Sequence, residues 1–170
     1  SRMMESGRED GFFVTYNHPA WSQETRDEYC NFNGMHAMEI CNWGSYSGGF
    51  CDYNEKEYDE MLRVGKRIGC IATDDNHNGH PFDSPDNDSF GGWVTICAEK
   101  LDYESVIAAL EKGEFYASCG PEIKALWIED GYVHVKTSPA HAISYISIGR
   151  HHGTVRANYG ETVDEAVFAI

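Results

Sequence analysis

The chain is poor in positive charge. It has 13 Lys and Arg against 28 Asp and Glu, a formal net charge of -15 over 170 residues. A surface that acidic repels phosphate backbones, so no nucleic-acid partner is expected. It also has no apolar run long enough to span a bilayer and no signal-peptide pattern, so no membrane partner is expected. The six cysteines, at 30, 41, 51, 70, 97 and 119, include no CxxC pair. Several lie in apolar, strand-like runs, where Cys behaves as a small buried hydrophobe. Reduced thiols and a cytoplasmic location are the expectation. There is no Walker loop, no GxGxxG and no GxSxG elbow, so nucleotide cradles and serine-hydrolase chemistry have no motif here. Apolar residues still make up 41% of the chain, which is enough for a core.

What is present gathers around Ile68-Gly-Cys-Ile-Ala-Thr-Asp-Asp-Asn-His77. An apolar, β-branched run ends in a polar tip, as a buried parallel strand does when its C-terminus faces a site. Phe12–Tyr16 reads as a strand followed by Asn17-His18-Pro19, and His36–Asn42 as a strand whose polar members are Glu39 and Asn42. Between them, 22–32 reads as a surface helix with Ser22 as a plausible cap. Residues 44–53 form a Gly/Ser/aromatic loop, and Glu55–Val64 a helix closed by Gly65. Residues 77–92 form a long loop beside a strand tip, the usual place for function. Trp93–Ala98 is another strand, and Asp102 caps the helix Tyr103–Lys112.

This order of strands and helices predicts parallel α/β units. After Phe115 the pattern changes to alternation without helices, with Asp130-Gly131 as a hairpin turn. The expected organisation is therefore an α/β domain over 1–120 and a small antiparallel β module over 121–170.

In a parallel sheet the strand C-termini share one face. His18, Asp75 and His77 would there offer two imidazoles and a carboxylate, a set suited to Zn, Mn or Fe. The plainer reading of 73–77 is a capped turn, since Asp and Asn are ordinary turn residues. Glu39 either orients a ligand or holds a substrate hydroxyl, against the plainer reading of a paired buried acid. His80 reaches a substrate phosphate or is simply a solvated loop residue. His151-His152 reads as a turn pair.

Four segments together resemble the polymerase-and-histidinol-phosphatase (PHP) family of metal-dependent phosphoesterases. They are His18-Pro-Ala-Trp21, Glu39-Ile-Cys-Asn42, Thr73-Asp-Asp-Asn-His77 and the run from Ala109 to Pro121. The resemblance covers roughly residues 11–121 and implies a distorted seven-stranded βα barrel, here in part. It implies divalent metal ions (Zn, Mn or Fe, or Mg) and hydrolysis of a small phosphoester by metal-activated water. By position it assigns His18, Asp75 and His77 as metal ligands and matches Glu39 to the Glu of a characteristic strand. Asp75 and His77 are the expected catalytic pair, and Glu39, Asn42 and His80 the expected substrate contacts.

The family's His-x-His segment, a further Asp/His strand end and a bridging Glu have no counterpart here. The chain is therefore expected to be a C-terminal part, inactive alone, that self-associates or pairs with a missing N-terminal segment. The alternative is a non-catalytic metal-binding or interaction domain.

Overall fold

Among the described residues, parallel pairing in the first half is confined to three strands. The computed structural model describes residues 2–51, 53–148 and 151–170, in two compact units, 1–119 and 120–170. In the first unit, helix α1 (Arg2–Glu9) precedes β1 (Thr15–Tyr16), α2 (Pro19–Ser22), α3 (Arg26–Tyr29), β2 (Ala37–Asn42), α4 (Trp43–Ser47), α5 (Glu55–Arg63) and β3 (Gly69–Thr73). The sheet order is β1-β2-β3, all parallel, with Thr15 opposite Ala37 and Met38 opposite Cys70. Every residue of β2 but Ile40 is buried, as a strand covered on both faces requires. Tyr16, Tyr29, Met35, Met38 and Met61 form the core on one side of it.

Several sequence expectations are corrected. The first strand keeps only two residues: ahead of it the Val14 N–H donates to His36 Nδ1 at 3.0 Å rather than to a strand carbonyl, and Phe13 stacks on the His36 ring, with centroids 4.9 Å apart. Of the helix expected over 22–32 only α3 forms; Ser22 is the last residue of α2, and residues 23–25 separate the two. Thr25, not Ser22, caps the second, through a capping box in which Glu28 Oε2 accepts the Thr25 N–H at 2.7 Å. The Gly/Ser loop begins with α4, because the Asn42 side chain accepts the Ser45 N–H at 2.8 Å.

No closed barrel is formed among the described residues. The next strand, β4 (Trp93–Ile96), pairs antiparallel with β5 (Phe115–Ser118), with Ile96 opposite Phe115. Residues 97–102 and helix α6 (Tyr103–Lys112) connect the two, and the chain returns to the end of β4 it left, where Cys97 N–H donates to Glu114 O at 2.8 Å. Asp102 caps α6 as the sequence indicates, accepting the Ser105 N–H at 2.8 Å.

The second unit is all antiparallel: β6 (Ile123–Glu129), β7 (Tyr132–Ala140), β8 (Ala142–Ile146), β9 (His152–Arg156) and β10 (Val163–Ala169). One sheet has the order β10-β7-β6, and β8 and β9 form a separate hairpin. Asp130 and Gly131 both have positive φ, 50° and 81°, the two left-handed positions of a type I′ turn. Ile143, Ala166 and Phe168 make its core. His152 opens β9 rather than sitting in a turn.

Candidate functional site

The site begins with a buried acid. Glu39 is completely inaccessible at the centre of β2. Its Oε2 accepts the His18 backbone N–H at 2.6 Å and the Asn42 amide at 3.2 Å, and its Oε1 accepts the Thr73 hydroxyl. One carboxylate thus ties together the segment that follows β1 and the ends of β2 and β3. A buried acid with this many donors is satisfied by them rather than left waiting for a ligand.

Asn42, also fully buried, passes the connection on. Its Nδ2 donates to Asp75 Oδ2 at 3.0 Å as well as to Glu39. Asp74 holds the loop beyond. Its two oxygens accept three successive backbone N–H groups, from Phe90, Gly91 and Gly92, at 2.6, 2.8 and 2.9 Å. That clamp returns residues 77–92 to the strand tip. Gly92 is required there, since a Cβ would stand 2.7 Å from Thr73 O.

The result is a cleft of about 350 Å³ at the strand tips, lined by His18, Trp21, Phe50, Asp75, His77 and Asp88, with part of α4 as one wall. His18 and Asp75 both sit in the left-handed region, with φ of 36° and 48°. Non-glycine residues held there cost energy and cluster where function requires a fixed direction. His18 Nδ1 lies 2.9 Å from Ser22 Oγ, and its ring meets Trp21 edge-on at 5.1 Å. His77 Nδ1 lies 2.6 Å from Asp75 O. A carbonyl can only accept, so Nδ1 carries the proton, and in the neutral ring Nε2 keeps its lone pair.

The structure therefore brings His18, Asp75 and His77 to one cleft. It does not bring Glu39, Asn42 or His80 there. Glu39 and Asn42 are fully buried with their polar groups engaged, and neither lines the cleft. His80 is exposed on the loop and outside the lining. Sequence reasoning missed Asp88. Its Oδ2 accepts the His77 N–H at 3.1 Å, while its Oδ1 is buried without a hydrogen-bond partner among the described residues. The sequence places Asp88 in a polar loop like its neighbours. Only the clamp at Asp74 turns it inward.

The fit to a divalent cation is partial. Two imidazoles and two carboxylates, one of them with an orphaned oxygen, are suitable donors. Their spacing is not suitable. Among the described residues no three His, Cys, Asp or Glu side chains stand close enough to hold one ion. In this arrangement the chain carries donors facing a cleft, not a closed metal site.

Fold and cleft together define an α/β unit with a polar cleft at its parallel strand tips. No protein-family profile and no curated protein matches the chain. Among solved structures, it is similar to a two-domain protein from Bacteroides vulgatus that contains a predicted PHP-like metal-dependent phosphoesterase. The identity is 12% and the TM-score 0.43, over 98% of this chain and 55% of that one. The chain thus spans about half the length of that protein. No helix among the described residues is long and apolar enough to cross a membrane.

Proposed function

We propose that this chain is the C-terminal part of a divalent-metal-dependent phosphoesterase that hydrolyses a small phosphoester, and that it supplies part of the ligand set. His18, Asp75 and His77 are its metal-facing donors, with Asp75 and His77 nearest the reacting centre. Glu39 holds the His18 backbone and Asn42 holds the Asp75 carboxylate. His80, three residues beyond His77, is the contact for a phosphate extending out of the cleft. The remaining donors come from outside these 170 residues, and the isolated chain turns over little substrate. Phosphoryl transfer needs several oxygens neutralised and an aligned nucleophile, which a partial donor set does not give.

The observation that carries this reading is the shared cleft. Donors from the tips after β1 and β3 and from the 77–92 loop open on one cavity, and one of them, Asp88, has a buried oxygen without a partner. A second reading, a non-catalytic metal-binding or interaction domain, is favoured by the lack of any three-donor group among the described residues.

An aryl phosphate assay with added Mn or Zn separates the two. It is run on the chain alone and with a fragment carrying a His-x-His segment supplied in trans. Turnover that appears only with the fragment supports the phosphoesterase. Turnover by the chain alone shows that its own donors suffice. No turnover in either case, with metal bound or not, selects the interaction domain.

A further inference from the structure

Among the six thiols, two face each other. Cys41 Sγ and Cys119 Sγ lie 3.4 Å apart, although the residues are far apart in sequence. None of the six cysteines is in a disulfide. To become a disulfide the two sulfurs need to close by little more than an ångström, to the ~2.05 Å bond.

We infer that Cys41 and Cys119 form a redox-active dithiol that takes a low-molecular-weight disulfide by thiol–disulfide exchange. The two sulfurs differ in access as such a pair requires. Cys119 is exposed, immediately past β5, and is followed by Gly120 with φ 148°, a backbone conformation that glycine adopts freely. Cys41 is buried, 4% exposed, just after an irregularity in the β2–β3 register and bridged to Tyr53. The incoming disulfide therefore meets Cys119 first, and Cys41 stands behind it as the resolving thiol.

The exchange balances without any other reactant. The Cys119 thiolate attacks one sulfur of the small disulfide, forming a mixed disulfide and releasing one small thiolate. The Cys41 thiolate attacks Cys119 Sγ, forming the Cys41–Cys119 bond and releasing the second. The protons of the two cysteines end on the two released thiols. The protein dithiol is oxidised, and one small disulfide is reduced to two thiols.

The remaining cysteines are poorly placed to compete. Burial pushes the Cys70 thiol up in pKa, which keeps it protonated and slow to react. Cys30 packs against the core beside Met38. Cys51 and Cys97 are exposed, so they take adducts singly.

The test is equilibration of the full chain, under native conditions, in mixtures of oxidised and reduced glutathione. Acid quenching, alkylation and peptide mapping by mass spectrometry follow. The Cys41 and Cys119 thiols should be lost together, as one crosslinked peptide pair. That pair should be enriched about tenfold or more over the chain oxidised in urea, where pairing follows loop-closure statistics. Cys41→Ser should stop the reaction at a glutathione adduct on Cys119. Cys119→Ser should abolish the crosslink and leave Cys41 a thiol. A crosslink no more frequent than in urea, or adducts confined to Cys51 and Cys97, overturns the inference. Far-ultraviolet dichroism of each variant checks that it remains folded.

Discussion

The Glu39 carboxylate holds the His18 backbone N–H at 2.6 Å, at the point where the chain enters a left-handed conformation. A strained residue keeps its geometry only where neighbours over-determine it, and here the neighbour is a buried acid that also holds Asn42 and Thr73. Replacing Glu39 by Ala leaves those donors buried without their acceptor and opens a cavity. Urea unfolding of Glu39→Ala should show a loss of about 2–4 kcal/mol. An exposed control, Asp83→Ala, should stay within about 0.5 kcal/mol. A Glu39→Ala loss as small as the control's would show that Glu39 does not brace the site.

His36 is a second joint between segments, and it titrates. Its Nδ1 accepts the Val14 N–H at 3.0 Å and its ring stacks on Phe13. Burial, with the Arg8 guanidinium nearby, holds its pKa below the usual histidine value. In the unfolded chain the ring protonates near pH 6.5. Below that pH the unfolded state binds more protons than the folded state, so stability falls with acidification. The contribution is complete above about pH 6.5 and is lost as pH drops through the depressed folded value. Unfolding curves between pH 5 and 7.5 should show this slope in the wild type and a reduced slope in His36→Gln. Equal slopes in the two proteins would remove His36 as its source.

Some of this molecule is legible in the sequence because the signal is local. Asp102 caps α6, Gly113 closes it with φ 76°, and Asp130-Gly131 turns the hairpin. The buried run of β2 and the polar tip of β3 are also written in neighbouring residues. What is not legible depends on where a distant segment returns. The antiparallel β4–β5 pair depends on where the chain returns after α6, against the end of β4. Asp88 reaches the cleft only because Asp74 gathers three N–H groups 16 to 18 residues later in the chain. Glu39 and Asn42 show the converse. Their residue types fit a contact with a ligand, and nothing local in the sequence shows that both are completely buried.

The metal reading makes opposite demands on two acids in one cleft. Asp75→Asn keeps an acceptor for the Asn42 amide, so the fold should survive with a change of about 0.5 kcal/mol or less. Metal affinity, measured calorimetrically with Mn or Zn in the presence of the complementary fragment, should fall about 100-fold, and phosphatase rate with it. Asp88→Asn removes charge from a buried oxygen without a partner. The metal-free chain should therefore be equally or more stable, while affinity falls at least about tenfold. Unchanged metal stoichiometry and affinity in Asp75→Asn would end its assignment as a ligand.

Open strand edges make a last demand. The expected self-association needs an open strand edge. With β1 reduced to two residues, the longer edge lies in the second unit. There β6 is hydrogen-bonded to β7 on one side and ends the sheet on the other. Leu126 and Ile128 on it are 62% and 68% exposed. A seven-residue apolar edge offers a row of N–H and C=O groups for another strand to pair with, and β6 carries Lys124 as its one basic residue to oppose this. A second copy of the chain brings an identical edge, which pairs antiparallel about a twofold axis. The net charge of -15 opposes this association and is screened over about 8 Å at physiological ionic strength, so dimer should increase with salt. Light scattering at micromolar concentration should therefore show dimer in 0.5 M NaCl and more monomer at low salt. Ile128→Lys should restore the monomer at both, since it places like charges face to face across the new pair. A wild-type chain that stays monomeric at high salt, with β6 amides protected from hydrogen exchange, would mean that this edge is already covered within one molecule.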